Sequence, residues 1–167
     1  MRTTNELAIL DQKPQITIVN DGDLALNVKM INEQAVIYFH HEDFNLAIKK
    51  YNDVKLWITR FYTSSKDAKK FLLAAYTNLA LAHIKLEMYD EAINLCNQAL
   101  KINPKHVKAL LRKALAYSFQ ENHSIAKEIL SQAFILEPKN KTVRKALHQV
   151  CHTLNLCPKN DQIYAHY

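Results

Sequence analysis

Glycine is nearly absent from this chain: Gly22 is the one example in 167 residues. That argues against a glycine-rich phosphate loop and against a β fold with many tight turns, since both draw on residues free to take positive φ. Cysteine is scarce as well. Cys96, Cys151 and Cys157 are too few, and odd in number, for a disulfide scaffold. The chain is therefore read as belonging to a reducing compartment, cytoplasmic with the nucleus as the other option. No run of about 18 apolar residues occurs, so no membrane span is expected. Residues 1–8 lack the apolar stretch of a signal peptide. No Ser/His/Asp arrangement and no paired carboxylates in a pocket-like context stand out, so neither catalysis nor a cofactor is expected.

What is present is a repeat. Residues 73–106 and 107–140 align without a gap, and ten of the 34 positions are identical: Ala75/Ala109, Ala80/Ala114, Leu81/Leu115, Ala82/Ala116, Glu87/Glu121, Ala92/Ala126, Gln98/Gln132, Ala99/Ala133, Pro104/Pro138 and Lys105/Lys139. A fixed period of this length marks an array of helix pairs. Within it, Tyr76, Leu79, Ala80 and His83, then Leu110, Lys113, Ala114 and Tyr117, follow the spacing of one helix face. Ala92, Cys96 and Ala99, then Ala126, Leu130 and Ala133, form the matching face of a second helix. Small residues are expected where the paired helices approach closely. Asp90 and Ser124 are candidate N-caps of the second helices, and Pro104 and Pro138 close the units because proline cannot continue a helix.

This pattern resembles the tetratricopeptide repeat, a helix–turn–helix unit of the same period. Two such units rarely suffice for stability, so a third is expected upstream. Setting Ala47 in register with Ala92 places Ile31, Gln34, Ala35 and Tyr38 on a first-helix face and starts that repeat near Val28. Asp43 would cap its second helix. Val28 and Leu73 are 73 − 28 = 45 positions apart, 45 − 34 = 11 more than the period. The surplus includes Leu56, Trp57, Ile58, Phe61 and Tyr62. A second helix lengthened by a turn or two is expected, followed by a polar loop near residues 63–66. After Asn140 a further helix over residues 142–154, with Val143, Leu147, Val150 and Cys151 on one side, would cover the exposed face of the last repeat. The expected fold is all-α: three repeats over residues 28–66, 73–106 and 107–140 with a C-terminal capping helix, in a right-handed superhelix. Residues 23–157 form the domain. Residues 1–22 read as a linker or the remnant of a preceding domain, and 158–167 as a polar tail closed by Pro158.

In the co-chaperone class of such arrays, first helices present a carboxylate clamp that holds an acidic C-terminal peptide ending in Glu-Glu-Val-Asp. The resemblance implies that role for Asn78, Lys108 and Arg112, which match the clamp positions of the second and third repeats. Lys108 and Arg112 are four apart and share one helix face. Two clamp positions of the first repeat depart from the family: Asn32 stands where lysine is usual, and Val36 where asparagine is usual. Phe119, on the helix of Arg112, is a candidate wall of an apolar pocket beside them. Residues 71–80 and 92–100, the long first repeat with Trp57, and residues 163–165 resemble the repeat domains of the FK506-binding-protein immunophilins. Those proteins carry a prolyl-isomerase domain ahead of the repeats, for which the 27 residues before Val28 leave no room. The resemblance implies a protein-interaction module whose partner is the C-terminal tail of a ninety-kilodalton heat-shock chaperone. The other reading is an adaptor with a degenerate clamp that takes a different protein partner or self-associates through Leu56, Trp57, Phe61 and Tyr62.

The net charge of +6 lies in one segment: residues 105–145 hold nine Lys/Arg and three Glu, 9 − 3 = +6. An acidic partner is favoured there. No aromatic residues alternate with these lysines as a base-stacking platform would need, so nucleic acid is disfavoured. His148 and His152 are four apart on the capping helix, a spacing that suits a two-histidine metal site, but Cys151 and Cys157 complete no zinc pattern, and no metal is expected. Cys151 is expected to pack under the capping helix.

Overall fold

The computed structural model describes residues 21–61 and 66–155. Those residues form seven α-helices and no strand: α1 (Asp21–His40), α2 (Phe44–Phe61), α3 (Lys66–Lys85), α4 (Tyr89–Ile102), α5 (Val107–Phe119), α6 (His123–Leu136) and α7 (Lys141–Thr153). Each helix packs on the next in the chain. The odd-numbered helices α1, α3, α5 and α7 also touch in succession, while α2, α4 and α6 make no comparable contacts with one another. The array is therefore drawn together along the odd-numbered helices, and these line its concave wall. No helix among the described residues is long and apolar enough to cross a membrane.

The small repeated residues are the reason the helices can approach. Ala35, Ala80 and Ala114 on the first helices, Ala47, Ala92 and Ala126 on the second, and Ala99 and Ala133 further on are all 0% exposed. Larger residues fill between them. Leu79 and Leu130 are the bulkiest fully buried side chains. The core is built in successive clusters: Val28, Val54 and Ile58 with Ala68 and Ala75; Ile84, Ile93 and Cys96 with Ala116; Leu110, Ile129 and Leu130 with Val143, Leu147 and Val150. The last cluster includes Cys151, which packs under α7 as expected.

The turns inside the helix pairs repeat in atomic detail. Glu42, Glu87 and Glu121 take φ of 62°, 61° and 63°, the left-handed region. In each case the residue after the glutamate donates its N–H back to a carbonyl five residues earlier: Asp43 to Tyr38 at 3.0 Å, Met88 to His83 at 2.9 Å, Asn122 to Tyr117 at 2.9 Å. The glutamate N–H reaches three residues back, to Phe39, Ile84 and Ser118, at 3.1 Å each. This is the Schellman termination of a helix, a position that favours glycine. Here the repeat uses glutamate, consistent with a chain that has almost no glycine.

The same turns correct the expected caps. The residue that completes the Schellman motif is also the N-cap of the following helix, so no spare residue separates the two. Asp43 fills that position in the first pair, and its Oδ1 accepts from Leu46 N at 3.1 Å, as expected. In the other pairs the position is Met88 and Asn122, neither of which makes a side-chain cap. Asp90 and Ser124 lie two residues further on, inside α4 and α6, and are not caps. Asp90 instead accepts from Gln120 Nε2 at 2.8 Å, tying α4 to the end of α5. Asn140 caps α7, its Oδ1 accepting from Thr142 N at 3.0 Å and Val143 N at 3.2 Å.

The surplus residues of the first repeat lengthen two helices rather than one. α2 has 18 residues against 14 in α4 and α6. α3 starts at Lys66, seven residues before Leu73, and has 20 residues against 13 in α5. The extensions pack on each other, Trp57 and Ile58 meeting Ala68, Phe71 and Leu72. Lys66, expected in a loop, is thus the first residue of a helix; the rest of the expected loop that follows Tyr62, and Pro158, lie outside the described residues. Trp57 is used inside the fold, leaving Leu56, 59% exposed, as the described apolar residue of that group on the surface.

Candidate functional site

The concave wall brings together two of the expected residues. Asn78 on α3 and Arg112 on α5 occupy the same place in consecutive repeats, so the packing of α3 on α5 sets them side by side. Arg112 Nη1 donates to Asn78 Oδ1 at 3.3 Å. Tyr51, from α2, closes the group from behind: it is 2% exposed, and its hydroxyl oxygen is hydrogen-bonded by the Asn78 side chain. Three helices thus meet in one polar chain, Tyr51–Asn78–Arg112.

The electrostatics of this group follow from burial. Burial pushes the Tyr51 phenol above its ordinary value of 10.0, against the opposing pull of Arg112 and of the Asn78 hydrogen bond. Cys96, behind Arg112, is pushed up to about 12 by burial, with Arg112 and Lys113 opposing. Both groups are neutral at pH 7. Burial also lowers the pKa of Arg112, and the groups that work against that shift are Cys96 and Tyr51, not a carboxylate. The guanidinium remains a cation at neutral pH. It is half-buried, neighbours two uncharged groups, and is satisfied on one side by an amide.

The amide itself is partly used. An asparagine side chain has two donor hydrogens and an acceptor oxygen with two lone pairs. The oxygen takes Arg112 and one N–H serves Tyr51, which leaves a second N–H for whatever enters the groove. Asn78 lines a cavity of about 200 Å³ whose other walls are Val36, Phe39, His40, Tyr51 and Leu81. This cavity is apolar except for the amide, the Tyr51 oxygen and the exposed imidazole of His40.

Lys108 lies one turn before Arg112 on α5, fully on the surface. It is the exposed cation beside the half-buried one. His106 precedes them as the N-cap of α5, its Nδ1 accepting from Ala109 N at 3.3 Å. Burial first, then the positive charges of Lys108 and Arg112, hold His106 below its ordinary value, with Glu137 opposing.

Two expected residues stand outside this group. Asn32, half-buried on α1, lies one turn before Val36 and is not part of the cavity wall. Phe119, expected to wall an apolar pocket beside Arg112, does not: it stacks on Tyr89 with ring centroids 5.5 Å apart and an interplanar angle of 19°, while remaining 53% exposed. Seven residues separate it from Arg112, two full turns, and the start of α4 is what it meets there. The apolar walls come instead from Val36, Phe39 and Leu81. Val36 and Leu81 hold the same repeat position, which Leu115 holds in the third repeat, so an apolar column was readable by stacking the three repeats. Tyr51 carried no such signal, because its second-helix position reads only as core. Among the described residues no three His, Cys, Asp or Glu side chains are grouped to hold a metal ion, and His148, Cys151 and His152 make no such group.

A tetratricopeptide-repeat family model matches residues 73–106. The bovine (Bos taurus) peptidyl-prolyl cis-trans isomerase FKBP4 is 29% identical over 124 residues, covering 71% of this chain and 27% of the relative. The chain thus spans about a quarter of the length of that relative. Among solved structures, the C-terminal TPR-containing domain of a Plasmodium falciparum FK506-binding protein superposes with a TM-score of 0.68 at 26% identity, covering 81% of this chain and 93% of that one. The first TPR of Spaghetti (RPAP3), bound to the HSP90 peptide SRMEEVD, superposes with a TM-score of 0.65 at 23% identity, covering 78% of this chain and 98% of that one. That likeness concerns the fold.

Proposed function

We propose that this chain, a tetratricopeptide-repeat domain similar to the repeat region of FKBP4-type immunophilins, is a protein-interaction module whose groove takes an extended acidic peptide, the C-terminal tail of a ninety-kilodalton heat-shock chaperone being the favoured one. The observation that carries the proposal is Arg112. Among the described residues no carboxylate pairs with it, and a cation half-withdrawn from water is costly unless an anion completes it. Asn78 offers a free N–H next to it, and Lys108 adds a second charge one turn away on the same face. Rigid helices hold these groups in place, so little ordering is needed when a ligand arrives. The excess charge of residues 105–145 draws acidic chains toward this end of the groove.

The fold of the Spaghetti TPR domain bound to an HSP90 peptide supports the same reading. The test is calorimetric titration with Ser-Arg-Met-Glu-Glu-Val-Asp, beside a copy in which both glutamates are glutamines. Binding of the acidic peptide, lost in the glutamine copy and weakened by about 2–5 kcal/mol in Arg112→Ala, is the expected result. Equal binding of both peptides would refute an acidic ligand.

A further inference from the structure

We infer that two copies of this chain associate through the outward face of α1, pairing the two helices antiparallel about a two-fold axis. Leu26, Met30, Glu33 and Ile37 recur at the spacing of one helix face. Val28, Ile31, Ala35 and Tyr38, the buried residues of α1, lie on the opposite side. Leu26 is 57% exposed, Met30 45% and Ile37 40%, and Glu33 is exposed among them. α1 packs on α2 and α3, and on no other described helix to a comparable extent. The stripe is therefore an apolar helix face at the end of the array, where a preceding helix would stack.

The other end is built differently. α7 turns Thr142, Lys145, Gln149 and His152 outward, all exposed, and buries Val143, Leu147, Val150 and Cys151. A polar outer face of this kind is what the end of a helical array needs to stay in water. The outward face of α1 is apolar at three of its four positions. This contrast selects the occupant. Head-to-tail stacking would set the apolar face of α1 against the polar face of α7, and it would repeat without closing. Pairing α1 with α1 buries apolar surface from both copies and closes at two.

The stripe is self-complementary in that arrangement. With the axis crossing between residues 31 and 32, Leu26 meets the second copy's Ile37, and Met30 meets its Glu33. Lys29 flanks the stripe, so the second copy's Glu33 comes within reach of its ammonium, and the symmetry forms that pair twice. A parallel pairing in register would instead set Glu33 against Glu33, two like charges in one seam. Three half-exposed apolar side chains per copy fall short of the about 1,200 Å² of a standard interface, so the dimer dissociates in the micromolar range. The groove stays open, because Val36 and Phe39, which wall its cavity, lie on a different side of α1.

The experiment is sedimentation equilibrium of the intact chain from about 5 to 500 μM, a range that brackets micromolar dissociation. The expected result is a reversible monomer–dimer equilibrium with no larger species. Met30→Glu should weaken the dimer by about tenfold or more, and Glu33→Leu, which completes the apolar seam, should strengthen it by a similar factor. Both positions are exposed, and circular dichroism checks that helix content is kept. Lys29→Glu and Glu33→Lys should each weaken the dimer by about two- to fivefold, and the two together should restore it. A monomer at every concentration, a dimer indifferent to Met30→Glu, or a series of larger species would overturn the inference. Failure of the double change to restore the dimer would overturn the antiparallel pairing. Acidic-peptide affinity should be the same in Met30→Glu as in wild type, so loss of peptide binding by wild type bears on the groove alone and leaves this surface standing.

Discussion

Replacing Glu121 by glycine should make this protein more stable. Glu121 sits at φ 63° in the turn between α5 and α6. An L-residue with a Cβ in that region is disfavoured by about 1–2 kcal/mol. Glycine removes that penalty but gives the unfolded chain more freedom, which returns about 0.5–1 kcal/mol. The net gain is about 0.5–1 kcal/mol, or roughly 2–4 °C in Tm per kcal/mol for a chain of this size. The turn's own hydrogen bonds survive, because Glu121 N to Ser118 O and Asn122 N to Tyr117 O are backbone bonds. The side chain is exposed, so its removal opens no cavity. Urea and thermal unfolding of Glu121→Gly measure the gain, and Glu128→Gly is the control. Glu128 is equally exposed but lies within α6, where glycine should cost about 0.5–1 kcal/mol. The same change at Glu42 and Glu87 should add to the first, since the three turns share no partners. If Glu121→Gly is neutral or destabilising while the control behaves, the strain argument is wrong.

Other expectations concern the core and the groove. Leu130→Ala removes a side chain that is 2% exposed in the cluster joining α5, α6 and α7, and should cost about 2–5 kcal/mol in urea denaturation. Tyr51→Phe keeps the ring and removes the hydroxyl that orients the Asn78 amide, so binding of the acidic peptide should weaken by about three- to tenfold, the worth of one ordinary hydrogen bond. Unchanged affinity would show that the amide needs no such hold. His106 is held below its ordinary value of 6.5, so the unfolded chain takes up its proton first. Its contribution to stability is complete above pH 6.5 and declines as pH falls through that value toward the folded-state pKa. His106→Asn keeps a capping side chain and does not titrate, so the stability difference between wild type and variant should shift below pH 6.5 and stay constant above it.

What the sequence determined by itself is the repeat and its packing. The alanines at fixed positions had to be contact points, because a helix pair that repeats every 34 residues buries the same places each time, and the eight alanines of those positions are fully buried. That Asn78 stands 34 residues before Arg112, at the same place in consecutive repeats, was equally visible, and the two do meet. Of the caps, Asp43 was legible and the other two were not, since a Schellman turn reuses its last residue as the next N-cap, and only the backbone shows that Asp90 and Ser124 come two residues too late. Nor was the start of α3 legible, because the period marks residues that recur and is silent about a two-turn extension that occurs once. The character of the site was decided by tertiary structure alone. Tyr51 reaches Asn78 only because α2 packs behind α3, and Phe119 is drawn away to Tyr89 by the start of α4. Local pattern fixes which face of a helix is apolar. Which groups from three different helices share one pocket, and which cation among them meets an amide and no carboxylate of the described residues, depends on how those faces meet.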